Sequence, residues 1–211
     1  MNINKHALLE QIKADIISNN ICPDLAREAT NLVMGDGNIN ADVVFIGEAP
    51  GKKEDLLGLP FMGAAGKFLN EMLATVNLER SDVYITNIVK YRPPNNRDPK
   101  TSEKEAFWPY LVRQLDVIQP KVVVTLGRHS MEYFLPDQKI GNIHGQPSQI
   151  NFGEKQMIIV PLYHPAAALY NGGLRATLIE DFNKLSKIIN FHNNEKENIK
   201  YGSTKTFKQP R

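Results

Sequence analysis

Four short apolar runs punctuate the chain: Val43–Ile46, Val83–Asn87, Val122–Leu126 and Met157–Leu162. Each is rich in β-branched residues and bounded by turn residues, the pattern of strands buried on both faces of a parallel sheet. Between them, apolar positions recur at helical spacing over Gly66–Val76, Ser102–Ile118, Arg128–Leu135 and Leu174–Ile189. Ser102 with Glu105 three residues on reads as a capping box opening the second of these. The first segment, MNINKHALLEQIKADII, mixes Lys, Glu and Asp with apolar residues and predicts an amphipathic helix within residues 1–20. Strand–helix alternation predicts an α/β fold, a three-layer α/β/α sandwich around a four-stranded, mostly parallel central sheet. No internal repeat is visible. Residues 1–190 read as a single domain, and the Asn/Lys-rich stretch 191–211 as a disordered tail.

Composition narrows this modestly. The chain has 211 residues, 42% of them hydrophobic, enough for one sizeable core. The net charge of +2 says little. Its distribution says more: Lys196, Lys200, Lys205, Lys208 and Arg211 face only Glu195 and Glu197 in the tail, leaving the body close to neutral. Any affinity of the body for nucleic acid must therefore come from a local patch. The single cysteine, Cys22, excludes internal disulfides and an all-cysteine metal site. No apolar run approaches the roughly 20 residues of a membrane span, and the N-terminus does not read as a signal peptide. A cytoplasmic protein that does not engage membranes is expected.

The chemistry gathers at strand ends. Gly47-Glu48-Ala49-Pro50-Gly51 follows the first strand, with Glu54-Asp55 and Phe61 close behind. Asn87 ends the second and opens NIVKYRPPNNRDP. Tyr163-His164-Pro165 ends the fourth. In an open α/β sheet such ends converge on one crevice. Asn87 offers an amide suited to the paired N–H and C=O edge of a pyrimidine, and Phe61 a flat face for stacking. A neutral His164 would donate to a developing oxyanion. Glu48, Glu54 and Asp55 would polarise water or stabilise a cationic sugar. Together they suit cleavage of a base–sugar bond. Each also has an ordinary reading: a tight turn, a cap, a core aromatic, a buried structural histidine, a solvated helix start. GEAPG is not a Walker loop, since no Gly-Lys-Ser/Thr follows.

GEAPGKKEDLLGLPFMGAAGKFLNEML, VYITNIVKYRPPNNRDP and YHPAA, with NLVMGDGNINAD and PKVVVTLG, closely resemble the motifs of family-4 uracil-DNA glycosylases. The resemblance covers roughly residues 20–185, in order. It implies the uracil-DNA glycosylase-like fold and a monofunctional hydrolase that releases uracil from single- or double-stranded DNA, leaving an abasic site for base excision repair. It further implies that Gly47, Glu48 and Ala49 frame the base and the attacking water, with Glu54 and Asp55 the following acidic pair. Phe61 would stack on flipped uracil, Asn87 read its edge and His164 stabilise its anion. The segment Pro165–Leu174 matches the DNA-intercalation loop, with Leu169 or Tyr170 as the wedge. Lys90, Arg92 and Arg97, beside the pocket, suit flanking phosphates, with Arg128 and Arg175 as weaker candidates.

Three departures stand out. The family holds a four-iron cluster on four cysteines, and here the matching positions are Asn19, Cys22, Tyr91 and Phe107. No iron–sulfur cluster, and no metal or other cofactor, is therefore expected, with Tyr91 and Phe107 filling the vacated volume. Some cluster-bearing cousins trap the abasic sugar through a histidine in the loop matching Pro93–Pro99; this loop has none, so turnover is expected. Ala49 stands where the strongest uracil glycosylases carry an aspartate, which leaves the general base open, Glu48 first and Glu54 or Asp55 next. Rival readings are a uracil-DNA or single-stranded-DNA binding module with little turnover, and a glycosylase for another deaminated base. A monomer is expected.

Overall fold

A computed structural model describes residues 4–153 and 155–200, with side chains up to residue 189. The four predicted strands are present as β2 (Val43–Gly47), β3 (Tyr84–Asn87), β4 (Val122–Leu126) and β6 (Lys155–Leu162). They form a continuous parallel block in the order β3-β2-β4-β6. The expected count of four is corrected to six. Two edge strands, β1 (Asp36–Gly37) and β5 (Ser148–Phe152), pair antiparallel to β3 and β6. β1 is too short, at two residues, and β5 too polar to stand out as an apolar run. β5 alternates half-buried and exposed positions, as an edge strand with one face on the protein does.

Helices cover both faces. Along β2 the side chains alternate: Val44 and Ile46 join the core beneath α1 (Lys5–Ser18), α2 (Pro23–Glu28) and α5 (Thr101–Ile118). Val43 and Phe45 join a second core with α4 (Ala64–Thr75) and α9 (Gly172–Lys200). This is the period-2 geometry that lets one apolar strand feed two layers. Short helices fill the connections: α3 (Lys52–Leu57), α6 (Arg128–Met131), α7 (Ile140–Ile143) and α8 (Pro165–Tyr170).

Three local expectations change. α5 opens one residue earlier than Ser102, and its box is shifted: Glu103, not Glu105, reaches back to the Lys100 backbone N–H at 2.7 Å. Pro99 holds the preceding chain extended, which sets the helix start ahead of Ser102. The helix from Arg128 is a single turn rather than a run to Leu135. α9 continues to Lys200, into the stretch expected to be a disordered tail. No glycine or proline interrupts the chain between Gly173 and Gly202, so nothing in the backbone ends the helix at 190. Residues 201–211 lie outside those described. No described helix is long and apolar enough to cross a membrane.

Candidate active site

The carboxyl ends of β2, β3 and β6 open into one cleft of about 430 Å³. Of the residues picked out by sequence, Glu48, Ala49, Glu54, Phe61, Asn87, Arg97, His164 and Tyr170 line it. Parallel register does the first part of the work, pairing Gly47 directly with Asn87. A Cβ at Gly47 would lie 2.4 Å from Asn87 Oδ1 and 2.7 Å from the Phe61 ring. Glycine is what lets those two side chains meet at the floor. Gly47→Ala should leave the chain folded and slow its site chemistry by on the order of tenfold or more, because displacing a binding group by about 1 Å costs that much. Melting temperature and turnover measured on the same sample check this.

Phe61 is an aromatic held at φ 53°, in the left-handed region that non-glycine residues rarely adopt. Several contacts hold it there. Glu54 accepts hydrogen bonds from the Met62 and Gly63 backbone N–H groups, both at 2.8 Å. Arg80 donates to Pro60 O at 2.9 Å while paired with Asp36 at 3.0 Å. Gly66 packs so closely under the Phe61 carbonyl that any Cβ would overlap it. Phe61 then lies against His164 with ring centroids 5.7 Å apart and planes 28° apart. Arg80 and Gly66 escaped the sequence reading because what they hold is the backbone of Pro60 and Phe61, which carries no side-chain signature.

His164 is the N-cap of α8, and its Nδ1 accepts the Ala166 backbone N–H at 3.1 Å. That bond assigns the ring proton to Nε2. Burial pushes the ring down to about 4, with His129 adding to the shift and Glu54 opposing it. It is therefore neutral at physiological pH, a donor rather than a cation. Asn87 is 2% exposed, and no side-chain hydrogen bond ties its amide to the described residues. Burial pushes the Glu48 carboxyl up, against the pull of His129 and with a further push from Asp98.

Two assignments from sequence, Asp55 and Lys90, need correction. Asp55 does not reach the cleft: it is 4% exposed and accepts from the Thr30 and Asn31 backbone N–H groups at 2.8 and 3.1 Å. Adjacent helical residues point about 100° apart, so Glu54 faces the cleft while Asp55 staples the loop behind it. Lys90 is fully buried, its Nζ donating to Thr86 Oγ1 and Asn87 O, each at 2.7 Å. Desolvation lowers its pKa well below the usual lysine range. It braces the Asn87 backbone and meets no phosphate. Arg97 is engaged by Glu103 at 2.5 Å, and Arg175 by Glu71 at 2.7 Å while lying 4.2 Å over the Phe68 ring. Both guanidiniums are paired and partly exposed. Among the described residues, Arg92 bonds only Asn96, through Nε. The last segment of the site is helical rather than a loop, and it carries the most exposed aromatic among the described residues: Tyr170 is 91% exposed and Leu169 40%. If Lys90 is internal, Lys90→Met should leave the salt dependence of DNA binding unchanged. Arg92→Ala should lower that slope by about one, measured by titration at several salt concentrations.

The positions matching the family's cluster ligands do not form a thiolate set. Phe107 is fully buried and meets Tyr91 edge-on, with centroids 5.9 Å apart. Asn19 donates its amide to the Tyr110 hydroxyl at 3.2 Å. Burial pushes the Cys22 thiol up to about 11. One protonated thiol among two aromatic rings and a bonded amide does not fit a four-iron cluster, which needs four thiolates.

The family model described as the uracil DNA glycosylase superfamily matches residues 34–187. The chain is 48% identical over 186 residues to a type-4 uracil-DNA glycosylase of Sulfurisphaera tokodaii, covering 85% of this chain and 84% of that one. It is 46% identical over 185 residues to one of Archaeoglobus fulgidus, covering 85% and 92%. Against one of Saccharolobus solfataricus it is 45% identical over 179 residues, covering 82% and 83%.

Proposed function

The chain belongs to the uracil DNA glycosylase superfamily, and from that membership we propose that it hydrolyses the N-glycosidic bond of uracil in DNA, leaving an abasic site. The observation that carries the reading is Asn87, a buried amide without a side-chain bond to the described residues, on a cleft it shares with Phe61 and His164. A buried amide is stable only with partners, and a pyrimidine edge supplies them. Uracil flipped out of the stack slides against Phe61. Asn87 Nδ2 donates to O4 and Oδ1 accepts from N3–H. As the C1′–N1 bond lengthens, its electron pair moves into the ring and negative charge grows at O2. The neutral His164 donates Nε2–H there, in an enclosed site where such a bond is worth most. Water adds to C1′ of the oxocarbenium-like sugar and its proton leaves through Glu48, whose carboxylate, unlike that of Glu54, accepts from no backbone N–H among the described residues. Glu54 acts earlier, by holding Phe61 and the start of α4 in place.

Tyr170 or Leu169 enters the base stack to keep the nucleotide extruded, and Arg92 holds a flanking phosphate. DNA is the partner, as single or double strand, and the protein acts as a cytoplasmic monomer. No step is routed through a metal cluster: the Tyr91–Phe107 plug supports the surrounding loop by packing. Oligonucleotides carrying uracil, hypoxanthine or no lesion test the reading. Strand cleavage by alkali after incubation with the uracil substrate is expected. Tight binding to uracil-DNA without cleavage would make the protein a binding module, and cleavage confined to hypoxanthine would move its substrate class.

A further inference from the structure

The ring of His129, just after β4, lies among a buried cation and three carboxylates, Glu132 standing 3.9 Å from Nδ1 beyond hydrogen-bond range. Its Nδ1 is 3.3 Å from the Lys104 ammonium, on a side chain that is 7% exposed and also pairs with Glu132. Its Nε2 is 3.4 Å from Asp98 Oδ2 and 3.7 Å from Glu48 Oε1. An ammonium only donates, so Lys104 leaves Nδ1 as the acceptor and puts the ring proton on Nε2. Arg128 competes, its Nε approaching Nε2 at 3.2 Å. That side chain is 68% exposed and its guanidinium also reaches Asp98, so it turns away easily. Lys104 is enclosed, and the enclosed donor sets the tautomer.

We propose that His129 is a positioning residue for uracil hydrolysis, its Nε2–H holding the Glu48 carboxylate in the orientation that aligns the attacking water. This inference rests on the uracil-hydrolysing reading given above. Among the described residues, His129 is the one basic side chain within 4 Å of that carboxylate. The present 3.7 Å closes to a hydrogen bond when substrate is held, as catalytic contacts in unloaded sites commonly do. The charged groups facing the pair are Asp98 from the 93–99 loop, Lys104 from α5, Arg128 and Glu132 at the two ends of α6, and His164 beyond β6. Glu48, Asp98 and His129 also offer the donor set of a divalent cation site. A metal on Nε2 would require the ring proton on Nδ1, against the Lys104 ammonium, so the geometry favours the hydrogen bond.

Single-turnover uracil release measured against pH, with His129→Leu and His129→Gln beside the wild type, tests this. Leucine removes the group that draws Glu48 down. Release should slow by on the order of tenfold near neutrality, and the acidic limb should move to higher pH, with DNA affinity unchanged. Glutamine, whose amide nitrogen falls near the imidazole Nε2, should recover most of the rate. A leucine variant with the wild-type rate and limb would overturn the inference. A wild type that releases no uracil at any pH would instead overturn the activity beneath it. Nitrogen-15 shifts of the wild-type His129 ring give a test independent of variant folding: an acceptor-type Nδ1 is expected, and a proton on Nδ1 would refute the proposal.

Discussion

His164→Ala slows uracil release by roughly two to three orders of magnitude, the loss of about 2.7–4 kcal/mol seen when one oxyanion donor is removed. The expectation follows from three features together. The Ala166 N–H occupies Nδ1, so the proton faces the cleft from Nε2. Burial holds the ring neutral, at about 4. The stack against Phe61 fixes the ring plane. The fall should lie in the chemical step and leave affinity for uracil-DNA nearly intact, because the bond strengthens only as O2 gains charge. Above about pH 4 the wild-type donor does not titrate, so any acidic limb in the rate belongs to Glu48. The same depressed value has a stability consequence. Between about 4 and the ordinary 6.5 the unfolded chain binds a proton at this position and the folded chain does not. This histidine therefore makes stability fall with acidity through that window and contributes nothing to pH dependence above it. In His164→Ala that part of the acid sensitivity should vanish from thermal melts taken between pH 4 and 7.

Asn87→Ala removes both hydrogen bonds to the base. At roughly 1 kcal/mol or more apiece, they account for a rate loss on the order of a hundredfold. Discrimination suffers most. Cytosine offers an acceptor at N3 and a donor at N4, the reverse of uracil, and a buried amide in one orientation rejects it by leaving polar atoms unpaired. With alanine, the gap between uracil and cytosine should narrow as the uracil rate falls. Stability should not fall with it. The amide lines the cleft without a side-chain bond to the described residues, so its removal breaks no internal hydrogen bond. Lost turnover with an undiminished melting temperature separates a binding residue from a structural one. A variant that melts lower and keeps its preference for uracil would refute the assignment.

The parallel block and the crevice were readable because both follow from coarse patterns: apolar runs between turn signals, and functional residues at strand ends. Glu48, Phe61, Asn87 and His164 all reached the cleft for that reason. Lys90 misled because a lysine three residues beyond a site asparagine ordinarily points to water. Only the path of the chain under Met34 and Thr86 encloses it. Asp55 misled because adjacency in sequence is divergence on a helix. The Arg97–Glu103 and Arg175–Glu71 pairs join residues whose meeting depends on how helices and loops are laid together. His129 was missed although it follows β4, whose carboxyl end opens toward the same cleft as those of β2, β3 and β6. Applying the strand-end rule to Leu126-Gly127-Arg128-His129 would have raised it. The replacement of three cysteines was plain in the sequence. The mutual packing of Tyr91 and Phe107, which makes those positions unfit for a cluster, needed the structure.

A site of this kind releases uracil while standing on packing instead of iron. The most direct measurement quantifies free uracil from a defined oligonucleotide, using protein purified with a chelator and assayed for iron. Uracil in equal yield with alkali-labile strands is expected, from colourless protein whose rate is independent of iron content. Folded protein that releases no uracil, or whose activity scales with bound iron, would contradict it.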